Sequence, residues 1–118
     1  MVQSKLIVDV RRRLGDKASV IDIAGDVTGQ AEATLSDAYA RATANNPQKV
    51  LLNFEKLDFM NSSGIGVLVT LLVRAQRAKH KLLACGLNEH CRQILELTRL
   101  SDAIGLYADE AEALAQAD

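Results

Sequence analysis

Apolar and polar residues alternate in two segments near the start of the chain, residues 6–13 and 18–24. Alternation with a period of two is typical of strands that bury one face. A short polar stretch separates the segments and contains Gly15, a residue suited to the backbone of a tight turn. The pattern therefore predicts an antiparallel hairpin that turns at Gly15.

The next apolar pattern has helical spacing and follows an expected loop at residues 25–29. Its apolar positions are Leu35, Ala38, Tyr39 and Ala42. The predicted amphipathic helix should stop before Pro47, because proline cannot continue a helix. A short apolar run at residues 50–54 comes next and predicts a covered strand.

A polar segment then leads from this strand into a second helix, whose apolar positions are Ile65, Leu68, Leu72 and Ala75. We expect Ser62 or Ser63 to cap this helix and the helix to run to about Lys79. A serine at a helix N-terminus lies among unpaired backbone N–H groups and the positive end of the macrodipole. Such a position tolerates added negative charge, so phosphoryl chemistry is the first function to test.

The rest of the chain predicts two more strands and two more helices. Residues 81–85 form a short apolar strand, and residues 104–107 a weak edge strand. Asn88 can cap a third helix, and Asp109 with Glu112 can cap a final one. The third helix has one predicted face formed by Cys91, Ile94, Leu95 and Thr98. The order of elements predicts an α/β fold, with a mixed sheet, an N-terminal hairpin and about four helices packed mainly on one face.

Composition limits the classes of function. The 118 residues and the 48% hydrophobic content suit a single domain over residues 1–118. Fourteen basic and fifteen acidic residues give a net charge of −1, which does not favour nucleic acid or an anionic membrane as partner. The longest apolar run, residues 65–73, is too short to span a bilayer, and no stretch resembles a signal peptide. We therefore expect a cytoplasmic protein without membrane insertion.

Metal ligands and catalytic groups do not form a recognised pattern. Ligand-type side chains occur at His80, Cys85, His90 and Cys91, in a spacing that fits no closed zinc site. The two cysteines are not a Cys-x-x-Cys motif, and we expect both to be reduced thiols in the core. The sequence also contains no serine nucleophile elbow and no paired-acid motif. We therefore expect no metal, no cofactor and no catalytic residue.

Two further motifs have ordinary structural interpretations. Gly64-Ile65-Gly66 follows a predicted strand but lacks the third glycine and the lysine of nucleotide-binding loops, so close helix packing is the favoured interpretation. The basic residues 11–13 have no aromatic neighbours in sequence that could stack on bases. We interpret them as a solvated strand end.

The junction between the third predicted strand and its helix resembles the signature of STAS domains, in particular the bacterial anti-sigma factor antagonists. The residues that carry the resemblance are 58–67, Asp-Phe-Met-Asn-Ser-Ser-Gly-Ile-Gly-Val. The likeness continues in Gly25-Asp26-Val27-Thr28 and in residues 95–100, so that it covers nearly the whole chain. The resemblance implies a single STAS domain.

In such antagonists the first serine of the pair, here Ser62, is phosphorylated by an anti-sigma factor that is also a serine kinase. The unphosphorylated form binds that kinase and frees the sigma factor, and a serine phosphatase completes the cycle. The resemblance implies a docking surface made by the 25–29 loop, the 61–64 turn and the exposed side of the following helix. Its implied partner-binding residues are Asp26, Thr28, Asn61, Ser62, Ser63 and Gly64.

Local pattern alone would make both serines helix caps, and the resemblance favours Ser62 as the phosphorylation site and Ser63 as the cap. The chain departs from the family pattern at Asn61 and Thr28, where aspartate is common. These departures keep a second hypothesis open, a constitutive STAS subunit or scaffold of a transporter or stress-signalling complex. A small enzyme dependent on Cys85 or Cys91, or on a nucleotide, ranks last because no catalytic constellation accompanies it.

Overall fold

A computed structural model describes residues 6–13, 15 and 17–115. This part of the chain forms a five-stranded sheet in the order β1-β2-β3-β4-β5. The strands are β1 (Leu6–Arg13), β2 (Ala18–Val27), β3 (Lys49–Met60), β4 (Lys81–Cys85) and β5 (Gly105–Tyr107). The helices are α1 (Glu32–Ala42), α2 (Ser62–Ala78), α3 (Glu89–Leu97) and α4 (Glu110–Ala115). Short 3-10 turns cover Gly29–Ala31 and Leu100–Asp102.

The predicted hairpin is confirmed, because β1 and β2 pair antiparallel and Gly15 between them has a positive φ of 58°. The remaining neighbours, β2 to β5, pair in parallel. Parallel strands need crossovers, which the helices supply. The fold is therefore the mixed α/β sheet that the order of elements predicts.

Two strands are longer than their apolar runs predict. β2 continues to Val27 and β3 to Met60, so Gly25 lies in a strand instead of the expected loop. The two extensions pair with each other, Asp26 opposite Phe59 and Val27 opposite Met60, after register shifts in the ladder. β-Bulges allow irregular polar segments of two strands to stay paired. The pattern of apolar residues in the sequence does not reveal where a bulge lies.

One face of the sheet carries the main core. Helices α1, α2 and α3 cover it, and Leu68 and Leu72 of α2 are both buried there, as the helical spacing predicts. The third helix is also confirmed, with Cys91 and Leu95 buried against the same face. Thr98 was expected on that face but is exposed and forms the C-cap of α3.

We call the opposite side of the sheet the second face. Among the described elements, only α4 covers it, through Ala113 and Leu114. These residues pack on a smaller core formed by Ala18, Val20, Leu51, Leu83 and Cys85. The predicted cap of α4 is confirmed, because the Glu112 N–H donates to Asp109 Oδ1 at 2.8 Å.

The basic residues 11–13 are exposed at the end of β1, so the predicted solvated strand end is confirmed, and two of them also form ion pairs there. Arg11 donates to Asp22 Oδ1 at 2.8 Å and also pairs with Glu110 of α4. Arg13 pairs with the same Glu110 carboxylate. A single carboxylate thus joins α4 to the edge strand through two charge-assisted contacts.

Candidate functional site

Asn61, not a serine, caps helix α2. Its backbone is extended, with φ −106°, and its side-chain Oδ1 accepts a hydrogen bond from the Gly64 N–H at 2.9 Å. The expectation that Ser62 or Ser63 caps the helix is therefore wrong. The physical reason is the length of β3: the strand ends at Met60, which leaves Asn61 at the junction, and asparagine caps as well as serine does.

Ser62 and Ser63 form the start of α2, and both are exposed. Within the described residues neither hydroxyl makes a hydrogen bond. The backbone N–H groups of Gly64 and Ile65 are already bonded to Asn61. Both serine hydroxyls are consequently available for chemistry or contacts that the fold does not use.

Gly64 allows the start of α2 to lie against the end of β2. A Cβ atom at Gly64 would lie 2.1 Å from the Val27 carbonyl oxygen, far closer than such atoms approach. The Asn61 N–H also donates to that oxygen, at 3.3 Å. The interpretation of Gly64 as a packing residue is confirmed. A Cβ atom at Gly66 would have no heavy atom within 4 Å, so close packing does not require this second glycine.

The segment after β2 meets the same helix start. A Cβ at Gly29 would lie 3.2 Å from Ser63 Cβ, so Gly29 packs closely against the Ser63 side chain. Thr28 caps the adjoining 3-10 turn, its Oγ1 accepting from the Gln30 N–H at 3.3 Å. The structure thus brings Thr28 and Ser63 to one place from positions far apart in the sequence.

The six residues implied as partner-binding gather at the carboxyl ends of β2 and β3. In α/β sheets this edge is where binding sites commonly form. The first turn of α2 contains no acidic residue, so the positive end of its dipole is not neutralised from within the helix. On β2 and β3, Asp26 and Asp58 are the acidic residues nearest to this edge in the sequence.

Three exposed apolar side chains lie on the two elements that meet at this site, β3 and α2, and none of them was predicted to be exposed. Phe59 at the end of β3 is 53% exposed, and Val69 and Val73 of α2 are 39% exposed each. The signal for Phe59 was present in the sequence as a large apolar residue inside a segment that otherwise read as polar. Residues four positions apart in a helix lie on one face, so the two valines form a short stripe.

The candidate ligand side chains have structural roles or lie apart. His80 contacts the Tyr39 hydroxyl at 3.2 Å and Asn46 Oδ1 at 2.9 Å. Cys85 lies in the small core under α4, whereas Cys91 lies in the main core on the other face of the sheet. Among the residues that the structure describes, no group of three or more His, Cys, Asp or Glu could hold a metal ion.

Both thiols are poor nucleophiles. Burial, with a smaller effect from nearby carboxylates, raises the pKa of Cys85 to about 12. Burial also raises the pKa of Cys91. Both thiols are therefore protonated at neutral pH, which argues against chemistry that depends on a thiolate.

In the described part of the chain, no helix is both long and apolar enough to cross a bilayer.

Comparison with known proteins gives one family. The model of the STAS domain matches residues 8–113. An anti-sigma factor antagonist from Mycobacterium paratuberculosis has a similar structure, with a TM-score of 0.80 and 19% identity over 94% of this chain and 92% of that one.

Two other solved structures show the same fold. The phosphorylated form of the Bacillus cell fate determinant SpoIIAA has a TM-score of 0.67 and 20% identity, covering 93% of this chain and 98% of that one. A sulfate transporter family protein from Wolinella succinogenes has a TM-score of 0.74 and 17% identity, covering 89% and 86%. The likeness therefore includes both antagonists and a transporter family protein.

Proposed function

Because the chain belongs to the STAS domain family, we propose that it is an anti-sigma factor antagonist controlled by phosphorylation of Ser62. In the unphosphorylated state it binds an anti-sigma factor that is also a serine kinase, and this binding frees a sigma factor. Ser62 is a substrate in this cycle, and the kinase supplies the catalytic groups. A serine phosphatase returns the protein to its binding state.

The observation that carries the proposal is the free Ser62 hydroxyl at the start of α2. Asn61 satisfies the cap, so Ser62 Oγ can be modified without removing a hydrogen bond that holds the helix. In the reaction Ser62 Oγ attacks the γ-phosphorus of ATP held by the kinase. The new Oγ–P bond forms as the bond to the β-phosphate oxygen breaks, ADP leaves, and a base of the kinase takes the hydroxyl proton.

The fold tolerates the product because of where the phosphate is placed. The first N–H groups of a helix have no intrahelical acceptor, and the helix dipole favours an anion there. A phosphoserine adds about −1.5 to −2 charge at neutral pH. A partner docked on the same turn would have to desolvate that charge, so phosphorylation should release the partner and leave the domain folded.

The comparisons support this proposal in two ways. A structure with a TM-score of 0.80 is described as an anti-sigma factor antagonist, and the Bacillus protein has been solved in a phosphorylated form. Because both identities are below 25%, these structures support the fold alone. The role proposed for Ser62 rests on the geometry of the helix start.

The second candidate is a constitutive STAS subunit or scaffold of a larger complex. Asn61 and Thr28 favour it, because aspartate is common at these two positions in the antagonists and this chain has neither carboxylate. The similarity to a sulfate transporter family protein is consistent with it as well. In this role the turn at Ser62 binds its neighbour permanently and is not modified.

A phosphorylation assay separates the two candidates. Each anti-sigma serine kinase encoded in the source genome is purified and incubated with ATP and wild type, Ser62→Ala or the matched control Ser63→Ala. We expect one phosphate, located on Ser62 by fragment mass spectra, in wild type and in Ser63→Ala. A kinase that binds the protein tightly without modifying it would favour the scaffold.

A further inference from the structure

Part of the second face of the sheet is not covered by any helix that the structure describes. Helix α4 packs over the small core, and the extended ends of β2 and β3 continue beyond it. Two large apolar side chains are exposed there, Ile7 at 64% and Phe59 at 53%. Exposed apolar side chains that share a surface often mark an interaction site.

Phe59 lies on this face and close to Ser62. Successive strand residues point to opposite faces, and the next residue, Met60, is buried in the main core. Phe59 pairs with Asp26, and the following ladder pair is Val27 with Met60. Since β3 ends at Met60 and α2 begins at Ser62, Phe59 lies three residues before Ser62 in the chain.

Ile7 extends the same surface toward the edge strand. Leu6 and Val8 pack on the main core, so Ile7 between them lies on the second face. Ile7 pairs with Ala24, and Ala24 pairs with Lys56 of β3. These three residues line a groove of about 610 Å³ beside α4. Ile7 and Phe59 thus lie on one face of the sheet, with Ala24 and Lys56 between them and the groove beside them.

The charges next to Phe59 are negative. Asp26 lies opposite Phe59 in the strand ladder, and Asp58 precedes Phe59 in the sequence. Neither carboxylate has an ion pair among the described residues. A basic protein surface is the complementary partner.

We propose that the partner that engages Ser62 also covers Phe59, with an apolar pocket for its ring and basic residues facing Asp26 and Asp58. This inference rests on the proposed function. The turn at 61–64 is too small for the approximately 800 Å² per partner that stable interfaces bury. Phe59 is the nearest exposed large apolar side chain on the strand that leads into the turn, and aromatic anchors carry much of an interface's affinity.

Phe59 acts in this proposal through affinity and not through the chemistry at Ser62. Truncating the ring should weaken docking but leave the turnover of saturated kinase unchanged, because the Ser62 geometry is set by Asn61 and Gly64. The acidic residues should act mainly on the association rate, and their effect should fade as salt screens them.

The test compares Phe59→Ala and Phe59→Leu with Leu97→Ala, a matched control because Leu97 is 83% exposed on α3. Binding to the purified anti-sigma kinase is measured by calorimetry, and phosphorylation by steady-state kinetics. We expect Phe59→Ala to raise Kd about 30-fold, equivalent to about 2 kcal/mol. Its kcat/KM should fall by a similar factor with kcat unchanged, and Phe59→Leu should lose less. Leu97→Ala should match wild type.

The charge arm uses Asp58→Asn, with Glu89→Gln as a control at an exposed acidic residue of α3. We expect a slower association rate for Asp58→Asn at low salt and no difference at high salt. Melting curves confirm that each variant is folded.

The outcomes separate the inference from the proposed function. One outcome would overturn the Phe59 inference alone. In it, the kinase phosphorylates wild type on Ser62, and folded Phe59→Ala binds the kinase with a Kd within threefold of the wild-type value. A fall in kcat with Kd unchanged would also overturn it, because Phe59 would then act on the reacting group. Wild type that no kinase binds or modifies would reject the proposed function and this inference together.

Discussion

Gly64 and Val27 are in direct backbone contact, so that a Cβ atom at Gly64 would lie 2.1 Å from the Val27 carbonyl oxygen. This contact fixes the start of α2 against the end of β2. It also places Ser62 at the sheet edge, because the helix cannot be displaced outward without losing the Asn61 N–H bond to the same oxygen. The position of the candidate site thus depends on a residue that has no side chain.

Gly64→Ala should destabilise the protein, because backbone must shift to admit the methyl group. Overpacking of this kind costs about 1–3 kcal/mol. Gly66→Ala is the matched control: it lies in the same helix with open space around it, so alanine should stabilise by up to about 1 kcal/mol. Urea unfolding of both variants measures the two changes. Equal effects of the two substitutions would contradict the close contact.

The local elements of this fold could be predicted from the sequence because their signals are local. The spacing of Leu68 and Leu72 predicted a buried helix face, and Asn88 and the Asp109–Glu112 pair predicted caps that the structure contains. Each signal lies within a few residues of the feature that it predicts. Such patterns need no knowledge of which strands pair.

Features that depend on distant partners could not be predicted in the same way. The extension of β3 to Met60 requires pairing with the end of β2, and Arg11 finds Glu110 at a separation of 99 positions. The wrong prediction of the helix cap follows from the unpredicted length of β3, because a strand ending at Phe54 would have left several candidates for the cap.

Asn61→Ala should lower the free energy of unfolding by about 0.5–2 kcal/mol, the usual cost of losing an N-cap. Asn61→Asp should retain the cap, because a carboxylate oxygen can accept the Gly64 N–H and favours the helix dipole. Ser63→Ala is the control, since the Ser63 hydroxyl makes no hydrogen bond within the described residues. Denaturant melts of the three variants test this order; a larger loss for Ser63→Ala would return the cap to the serine.

Leu68→Ala should cost about 2–5 kcal/mol, from lost burial and the cavity that remains. Leu68 is 1% exposed in the main core, whereas the adjacent Val69 is 39% exposed. Val69→Ala, the control, should change stability by about 0.5 kcal/mol or less, as surface substitutions usually do. Chemical unfolding measures both. Similar losses at the two positions would mean that this helix is rotated relative to the sheet.

His80 should make stability depend on pH. Burial lowers the pKa of His80 from its usual value of 6.5, and its neutral ring accepts from Tyr39 while donating to Asn46. The unfolded chain therefore binds the proton more readily, so this contribution is present above pH 6.5 and is lost as pH falls below it. Unfolding free energies measured between about pH 7.5 and 5 should fall less in His80→Gln than in wild type. His90→Gln, at an exposed position, should follow wild type.

Negative charge at Ser62 should release the kinase partner without unfolding the domain. The start of α2 accommodates an anion, whereas a docked interface cannot easily hydrate it. Desolvation and repulsion of about 2–4 kcal/mol would weaken binding about 30- to 1,000-fold. Calorimetric titration should show Ser62→Ala bound as tightly as wild type, the phosphorylated protein released, and Ser62→Asp between them because aspartate carries less charge than phosphate. If the alanine variant and the stoichiometrically phosphorylated protein bind with equal affinity, Ser62 is not a switch and the constitutive scaffold is the better account of this domain.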